Sequence, residues 1–175
     1  MKLKSFNFSL FTWLVCSSTV RCGMYSFTGA SISPDVKTIS IQTFYNNAPL
    51  GPSTMSVTFT EAIKDYYQQN TNLELVDNNG DLQIDGYISN YTITPVAANT
   101  GNQNQADFSA LSRITITVSA TYVNVKDPTF DFDKNFSFFL DYDTDLDLAS
   151  NEDTFVEEIF DQIILDIFNA SVANW

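Results

Sequence analysis

The sequence predicts an α+β domain, a two-layer sandwich in which a four-stranded, largely antiparallel sheet carries two helices on one face. Alternation of apolar and polar residues indicates the strands, most clearly over 114–122. Apolar residues spaced three and four apart predict two helices, one from Ser53 to about Asn70 and one near Ser150, with a capping box to Asp153. Sheets and helices that are each apolar on one side bury that side by packing together in two layers.

Five segments have strand character, and they lie on both sides of the first helix. The first precedes that helix and is separated from it by a breaker-rich loop over 46–52. Three or four strands come between the helices, and the turn residues over 77–81 predict a hairpin joining two of them. A polar loop over 97–107 has no apolar period. The predicted strands lie at 36–44, 73–75, 82–96, 114–122 and 136–142.

Residues 1–21 have the layout of a lipoprotein signal peptide. Two lysines form a positive start, and the apolar stretch over 6–15 is about half the length that spans a bilayer. No other stretch of the sequence approaches the length of a transmembrane helix. We therefore expect the remainder to divide into a lipidated tether over 22–34 and a single domain over 35–175.

Cys22 is the expected lipidation site. The chain has two cysteines, Cys16 and Cys22, and only the second remains if the leader is removed before it. A lone cysteine in an exported protein has no disulfide partner, and acylation at a new N-terminus would account for it. The alternative is ordinary cleavage after Ser17, because Arg21 stands where a lipobox has a small residue. Gly23 and the lack of an acidic run after it favour the periplasmic side of the outer membrane.

The composition argues against nucleic-acid binding and against the common enzyme classes. The leader holds three of the eight basic residues and none of the 21 acidic ones, so phosphate backbones would repel the mature chain. The chain has no histidine, which removes the usual nucleophilic triads and the commonest zinc ligand. It also has no glycine-rich phosphate loop. We expect no enzymatic activity and no cofactor, and a carboxylate-dependent hydrolase is the enzymatic alternative.

Two acidic runs are the remaining candidates for a metal site. The run 77–81 begins like a calcium loop but has Leu82 where the sixth position requires glycine. The run 141–147 comes closer because Glu152 occupies the twelfth position, yet Leu146 again replaces the glycine. A turn explains the first run better, and a solvated acidic face of an extended strand explains the second. We therefore expect no metal site.

Three aromatic residues lie outside the predicted core elements. Tyr25 and Phe27 follow Cys22 in the tether, and Trp175 lies beyond the last helix. An aromatic side chain outside a core is typical of contact with a bilayer interface or a partner surface. We therefore expect these three residues to contact a partner.

Several stretches of the chain resemble one known family. The segment CGMYSFTGASI, residues 22–32, resembles the start of mature lipopolysaccharide-assembly lipoproteins (LptE) of Bacteroidetes type. The resemblance continues in order through most of the remaining chain. It includes DLQIDGYI at 81–88, RITITV at 113–118, DYD at 141–143, DIFN at 166–169 and NW at 174–175.

The resemblance implies a fold, a partner and a location. The implied fold is a four-stranded sheet with two helices, and the implied partner is LptD, a large outer-membrane β-barrel whose lumen such proteins enter. It also implies acylation of Cys22. Direct binding of lipopolysaccharide, described for relatives, fits poorly here because few basic residues are available for phosphates. A pilotin or adaptor lipoprotein of another secretion channel is the alternative, and we expect the loops 97–107 and 46–52 to carry contacts.

Overall fold

The structure, a computed structural model, describes residues 32–96 and 111–172. These residues form two helices, α1 over Met55–Asn70 and α2 over Leu148–Ser171, and six strands in one sheet. A short 3₁₀ turn over Pro128–Phe130 lies between the last two strands. The strands are β1 Thr38–Ile41, β2 Tyr45–Asn46, β3 Glu74–Leu75, β4 Leu82–Val96, β5 Leu111–Asn124 and β6 Phe132–Asp143.

One half of the sheet is the antiparallel unit β4–β5–β6. Strands β4 and β5 pair along their whole length with a single irregularity between Ile88 and Asn90. Strands β5 and β6 pair without a register shift from Leu111 opposite Asp143 to Tyr122 opposite Phe132. The apolar–polar alternation correctly predicts which side of β5 is buried, and the same side of β6 is partly buried.

The other half of the sheet is parallel, and here the predicted four-stranded, largely antiparallel arrangement is wrong. Strand β1 lies between β3 and β4 and is parallel to both, and β2 is parallel to β4. The predicted first strand over 36–44 forms only over Thr38–Ile41, and β2 at Tyr45–Asn46 lies beyond its predicted end. Before β2, the backbone N–H of Phe44 donates to Thr60 Oγ1 of α1 instead of to a strand. The α+β class and the two helices are confirmed, in a mixed sheet.

The predicted hairpin over 77–81 is also wrong. Strands β3 and β4, which flank it, do not pair with each other, because β1 separates them. The physical reason is the side chain of Asp81, whose Oδ2 accepts hydrogen bonds from the backbone N–H groups of Lys37 and Thr38, at 2.9 and 3.2 Å. The Thr38 hydroxyl donates to the same oxygen. The segment therefore holds β1 in place instead of closing a two-strand turn.

Both helices pack on the same face of the sheet, as predicted for a two-layer sandwich. A chain of edge-to-face rings crosses the interface, from Phe44 to Phe59 of α1 and on to Phe160 of α2, with centroids 4.9 Å apart at each step. Gly86 makes room for the first ring, because a Cβ there would lie 2.6 Å from Phe44 Cε1. At the far end the Tyr67 hydroxyl bonds to Ser171 in α2.

The last helix begins two residues before the predicted capping residue. Asp147 precedes its first turn, and Ser150 lies inside the helix, where its hydroxyl donates to the Asp147 carboxylate. The predicted capping box of Ser150 and Asp153 therefore does not cap the start of this helix. Within the described part of the chain, no helix is both long enough and apolar enough to cross a membrane.

Candidate partner-binding face

The open face is the side of the sheet that neither helix covers. Side chains alternate along each strand, and on β5 the helix-facing set from Ile114 to Tyr122 is buried. The opposite set on β4, β5 and β6 is mainly polar, with hydroxyl groups at its centre. The open face consists of Tyr45, Gln83, Asp85, Tyr87, Asn90, Thr92, Thr94, Arg113, Thr115, Thr117, Ser119, Thr121, Val123, Asp133, Asn135, Ser137, Phe139 and Asp141.

Hydroxyl groups at the centre of the open face bond along the sheet. Thr117 Oγ1 donates to Ser137 Oγ on the next strand at 3.1 Å, and Ser137 Oγ donates to the backbone oxygen of Ile116 at 3.1 Å. Ser89, at the irregularity in β4, donates to the backbone oxygen of Thr117. Short side chains held in this way keep the centre of the face flat and still capable of hydrogen bonding.

One corner of the open face is fixed by an arginine. Arg113 donates through Nε and Nη2 to the two carboxylate oxygens of Asp141, at 2.6 and 2.8 Å, and its Cζ lies 3.8 Å from the ring centroid of Phe139. The hydrogen bonds raise the pKa of Arg113 and lower the pKa of Asp141. This guanidinium is therefore already committed to a partner within the domain.

Two tyrosines form the opposite side of the open face. Tyr45 on β2 and Tyr87 on β4 are register partners, and they are 68% and 42% exposed. A shallow groove of about 440 Å³ lies beside them, and Asp85 contributes to its lining. Large rings that remain this exposed are candidates for contact with a partner, because aromatic residues contribute disproportionately to interfaces.

A second groove, which we call the end groove, lies where the described residues begin and end. Its volume is about 520 Å³, and its lining includes Ile32, Val36, Tyr122, Phe130 and Val172. Burial raises the pKa of the Tyr122 phenol to about 12. Since Ile32 belongs to the last three residues of the predicted tether over 22–34, the tether reaches the domain at this end.

Asp81 connects three segments beside the end groove. Its Oδ1 lies 3.1 Å from Lys126 Nζ in the β5–β6 connection, while its Oδ2 accepts from Lys37 and Thr38 before and within β1. The backbone N–H of Lys37 and the ammonium of Lys126 hold the pKa of this carboxyl far below its usual range. The residue is therefore charged at any physiological pH and keeps these segments together.

The structure does not test the functional roles that the sequence predicts for individual residues. Cys22, Tyr25, Phe27 and Trp175 lie outside the described residues, as does the loop over 97–107. The other predicted contact loop is described. Its first residue belongs to β2, and it contains Gly51, whose φ of 97° is a left-handed conformation that favours glycine.

The predicted acidic face is only partly extended. Asp141 and Asp143 belong to β6, whereas Asp145 and Asp147 follow the end of that strand, so the four do not share one strand face as expected. In residues 32–96 and 111–172, no group of three or more acidic or cysteine side chains is arranged to hold a metal ion.

Sequence reasoning missed Tyr45, Tyr87 and Phe139 as exposed rings. A signal was present for Phe139, because the alternation that buries one side of β6 places the residue after Phe138 on the opposite face. No comparable signal marks Tyr45, which lies just after the break between β1 and β2.

Comparison with known proteins agrees with this architecture. Residues 36–171 match the LptE family, described as lipopolysaccharide-assembly. No curated protein matches the sequence. The fold and the open face define a two-layer α+β domain with one sheet face that residues 32–96 and 111–172 leave uncovered. The chain belongs to the LptE family of lipopolysaccharide-assembly lipoproteins, which confirms the resemblance seen in the sequence.

Solved structures share this fold at low sequence identity. The protein CT253 from Chlamydia trachomatis has a TM-score of 0.52 and 11% identity, over 79% of this chain and 99% of that chain. A homologue of the neuraminyllactose-binding hemagglutinin from Helicobacter pylori has a TM-score of 0.51 and 8% identity, over 80% and 88%. A minor lipoprotein from Acinetobacter baumannii gives 0.49 and 13%, over 78% and 90%. The first two similarities establish the fold alone.

Proposed function

We propose that this chain is a lipid-anchored outer-membrane protein that lies in the lumen of an LptD-type β-barrel and supports lipopolysaccharide assembly and export. Membership of the LptE family supports the process. The open face is the observation that supports a barrel lumen as the binding site, because large outer-membrane barrels have polar interiors. A flat surface rich in hydroxyl groups can exchange hydrogen bonds with such a wall without burying unpaired polar atoms.

The exposed rings supply the remaining part of the proposed interface. Tyr87 and Tyr45 lie at one side of the hydroxyl-rich centre, and Phe139 lies at the other. Interfaces commonly combine a few aromatic anchors with a polar surround. We expect these rings to provide most of the binding free energy and the hydroxyl groups to form hydrogen bonds with the polar wall of the barrel.

We propose a scaffold role instead of a site for lipid phosphates. Five basic residues follow the leader, and three of them are already paired with acidic neighbours: Arg113 with Asp141, Lys126 with Asp81 and Lys64 with Glu61. A phosphate would have to displace these carboxylates in a domain that is strongly acidic overall. The charge distribution therefore favours contact with protein over contact with lipid A.

We propose Cys22 as the anchor of this arrangement, at the inner leaflet of the outer membrane. Ile32 is ten positions after Cys22, and an extended chain of that length reaches roughly 35 Å. The end groove would then lie within that distance of the lipid surface. Tyr25 and Phe27 in the tether, Trp175, and the 46–52 and 97–107 loops remain proposed partner contacts.

The proposal is tested by purifying the tagged full-length chain from native outer membranes. We expect an LptD-type barrel to copurify with the wild-type protein and to be reduced for Tyr87→Arg, which places a charge on the open face. Val57→Arg is the matched control, because Val57 is 67% exposed on α1, on the other side of the domain. Absence of the barrel from the wild-type sample would contradict the proposal, and copurification of a different secretion channel would support the pilotin or adaptor alternative.

A further inference from the structure

Strand β6 is a long and regular edge of the sheet. It has 12 residues, pairs with β5 on one side, and has no strand on its other side among the described residues. Its register with β5 contains no bulge, and its sequence contains no proline. Natural edge strands are usually short, charged, bulged or interrupted by proline, because an open edge invites pairing with another chain. Strand β6 has charged side chains near both ends, but the six residues over 135–140 are uncharged. The opposite edge, β3, has only two residues and fits that rule.

The hydrogen-bond alternation shows which groups of β6 point outward. The backbone N–H of Val125, directly after β5, donates to the backbone oxygen of Asp81, directly before β4. Because this bond continues the β4–β5 ladder, odd-numbered residues of β5 bond to β4 and even-numbered ones bond to β6. Their even-numbered register partners on β6 are therefore bonded to β5. It follows that the N–H and C=O groups of Asp133, Asn135, Ser137, Phe139 and Asp141 point to the open edge.

The apolar layer also continues to this edge. Four helix-facing side chains of β6 pack against the core but remain only partly buried: Phe132, Phe136, Phe138 and Leu140. On the same side, Tyr142 is buried and Lys134 is exposed. Strand addition places new side chains directly beside the partly buried residues, at about 4.5–5.5 Å between Cβ atoms. An incoming strand would therefore complete both the hydrogen bonds and the apolar layer of β6.

We propose that β6 binds an extended segment of a partner chain by strand addition, and that this segment alternates apolar and basic side chains. The apolar side chains would lie beside Phe136, Phe138 and Leu140. The basic ones would lie on the open face beside Asp133, and the overall charge of a chain with 21 acidic and eight basic residues would favour them. Backbone hydrogen bonds give such a complex its affinity, and the alternating side chains give it specificity.

Charge argues against a second copy of this chain as the occupant. In a twofold antiparallel pairing centred on Ser137, Asp133 of one copy would lie opposite Asp141 of the other. Arg113 already binds Asp141, so this pairing would give Asp133 no basic partner of its own. The overall acidity of the chain adds a longer-range repulsion between copies.

The inference rests on the proposed function in one respect, which is the identity of the partner chain. The wall of a closed barrel has no free edge with which β6 could pair. The segment must therefore come from a loop or a terminal segment of the barrel protein that extends into its lumen. The chemistry of that segment, alternately apolar and basic, follows from β6 alone.

Site-specific photocrosslinking in cells tests the contact. A photoreactive amino acid at Asn135, which is exposed on the free edge, is compared with the same group at Val57 on α1. We expect a crosslink to a loop or terminal segment of the barrel protein from Asn135 and none to that segment from Val57. Copurification of the barrel without that crosslink would overturn the inference and leave the proposed function intact. Absence of the barrel would overturn both the inference and the proposed function. A crosslink between two copies of this chain would show that a second copy, and not the barrel protein, occupies the edge.

A pair of edge variants gives a second test. Asn135→Pro removes an outward N–H without removing a bond to β5, whereas Asn135→Ala keeps that N–H. We expect at least about a tenfold lower yield of barrel with Asn135→Pro than with Asn135→Ala, since the proline ring also blocks neighbouring bonds. Unfolding in urea establishes whether both variants are folded. Equal yields from two folded variants would contradict strand addition at β6, and if the proline variant is unfolded, the crosslinks decide.

Discussion

The phenol of Tyr91, in the middle of β4, donates a 2.6 Å hydrogen bond to Oε1 of Glu152 near the start of α2. The Tyr91 side chain is buried beneath the helix, and burial together with the adjacent carboxylate raises its pKa well above the usual value. The phenol therefore remains a neutral donor over the physiological range. This bond joins the sheet to the last helix across 61 positions of sequence.

We expect Tyr91→Phe to lower the free energy of unfolding by roughly 1–2 kcal/mol, because it removes a hydrogen bond to a charged acceptor. Urea unfolding at neutral pH measures the effect. Tyr45→Phe is the control, since Tyr45 is exposed, and we expect it to change the free energy by less than about 0.5 kcal/mol. Equal effects from the two variants would show that the Glu152 contact contributes nothing to stability.

Because of Asp81, we expect the stability of the folded domain to depend on pH in the acidic range. Its folded pKa lies below the unfolded value of about 4, so its stabilising effect is present above that pH and is lost as the pH falls toward the folded pKa. We expect Asp81→Asn to be less stable than the wild type at pH 7 and to lose less stability between about pH 5 and pH 2. Thermal unfolding across this range measures both effects. Parallel stability curves for the two proteins would rule out Asp81 as a source of acid sensitivity.

Replacing a glycine inside a strand by alanine usually stabilises the protein, but at Gly86 we expect the opposite. Glycine inside a strand normally costs roughly 0.5–1 kcal/mol relative to alanine. A Cβ at position 86, however, would lie 2.1 Å from the backbone oxygen of Ser119 and 2.6 Å from Phe44 Cε1. We expect Gly86→Ala to destabilise the domain by roughly 3 kcal/mol, at the upper end of the overpacking range.

Chemical denaturation tests this prediction for Gly86, with Thr94→Ala on the same strand as the control because Thr94 is exposed. We expect that control to fall within about 0.5 kcal/mol of the wild type. An increase in stability for Gly86→Ala would mean that Phe44 and the β4–β5 pairing relax without cost around the added methyl group.

Cys22→Ala tests the anchor. We expect the variant to leave the membrane fraction while its unfolding transition stays unchanged, because residue 22 precedes the predicted domain at 35–175. Membrane fractionation and thermal unfolding of the same preparation measure the two expectations. Recovery of the variant in the membrane fraction at the wild-type level would count against lipidation, or would show that a partner alone retains the protein there.

The parts of the fold that could be predicted are those in which a local period carries the information. The alternation over 114–122 and the helical stripe after Ser53 each follow from side chains a few positions apart, and both elements form as expected. The partner of a strand is not local information. The residues over 77–81 have the composition of a turn, but nothing nearby reveals that the Asp81 carboxylate bonds to β1, more than 40 positions earlier.

Less of the candidate site could be predicted from the sequence, for a related reason. Periodicity identifies the side of a strand that is buried, and so it also identifies the polar residues of the open face. It does not reveal which exposed rings become neighbours. Tyr45 and Tyr87 are brought together by the parallel pairing of β2 with β4, a pairing that no local pattern predicts.

The position of β1 between β3 and β4 has a consequence for the order of folding. The antiparallel unit needs only consecutive strands, whereas β1 finds both of its neighbours later in the chain. Contacts that close longer loops form more slowly. In refolding followed by pulsed hydrogen exchange, we expect amides of β4, β5 and β6 to become protected before those of β1, and simultaneous protection would contradict this. A chain translocated from its N-terminus would then carry its first strand without its longer partner until β4 had emerged, exposed meanwhile to chaperones and proteases.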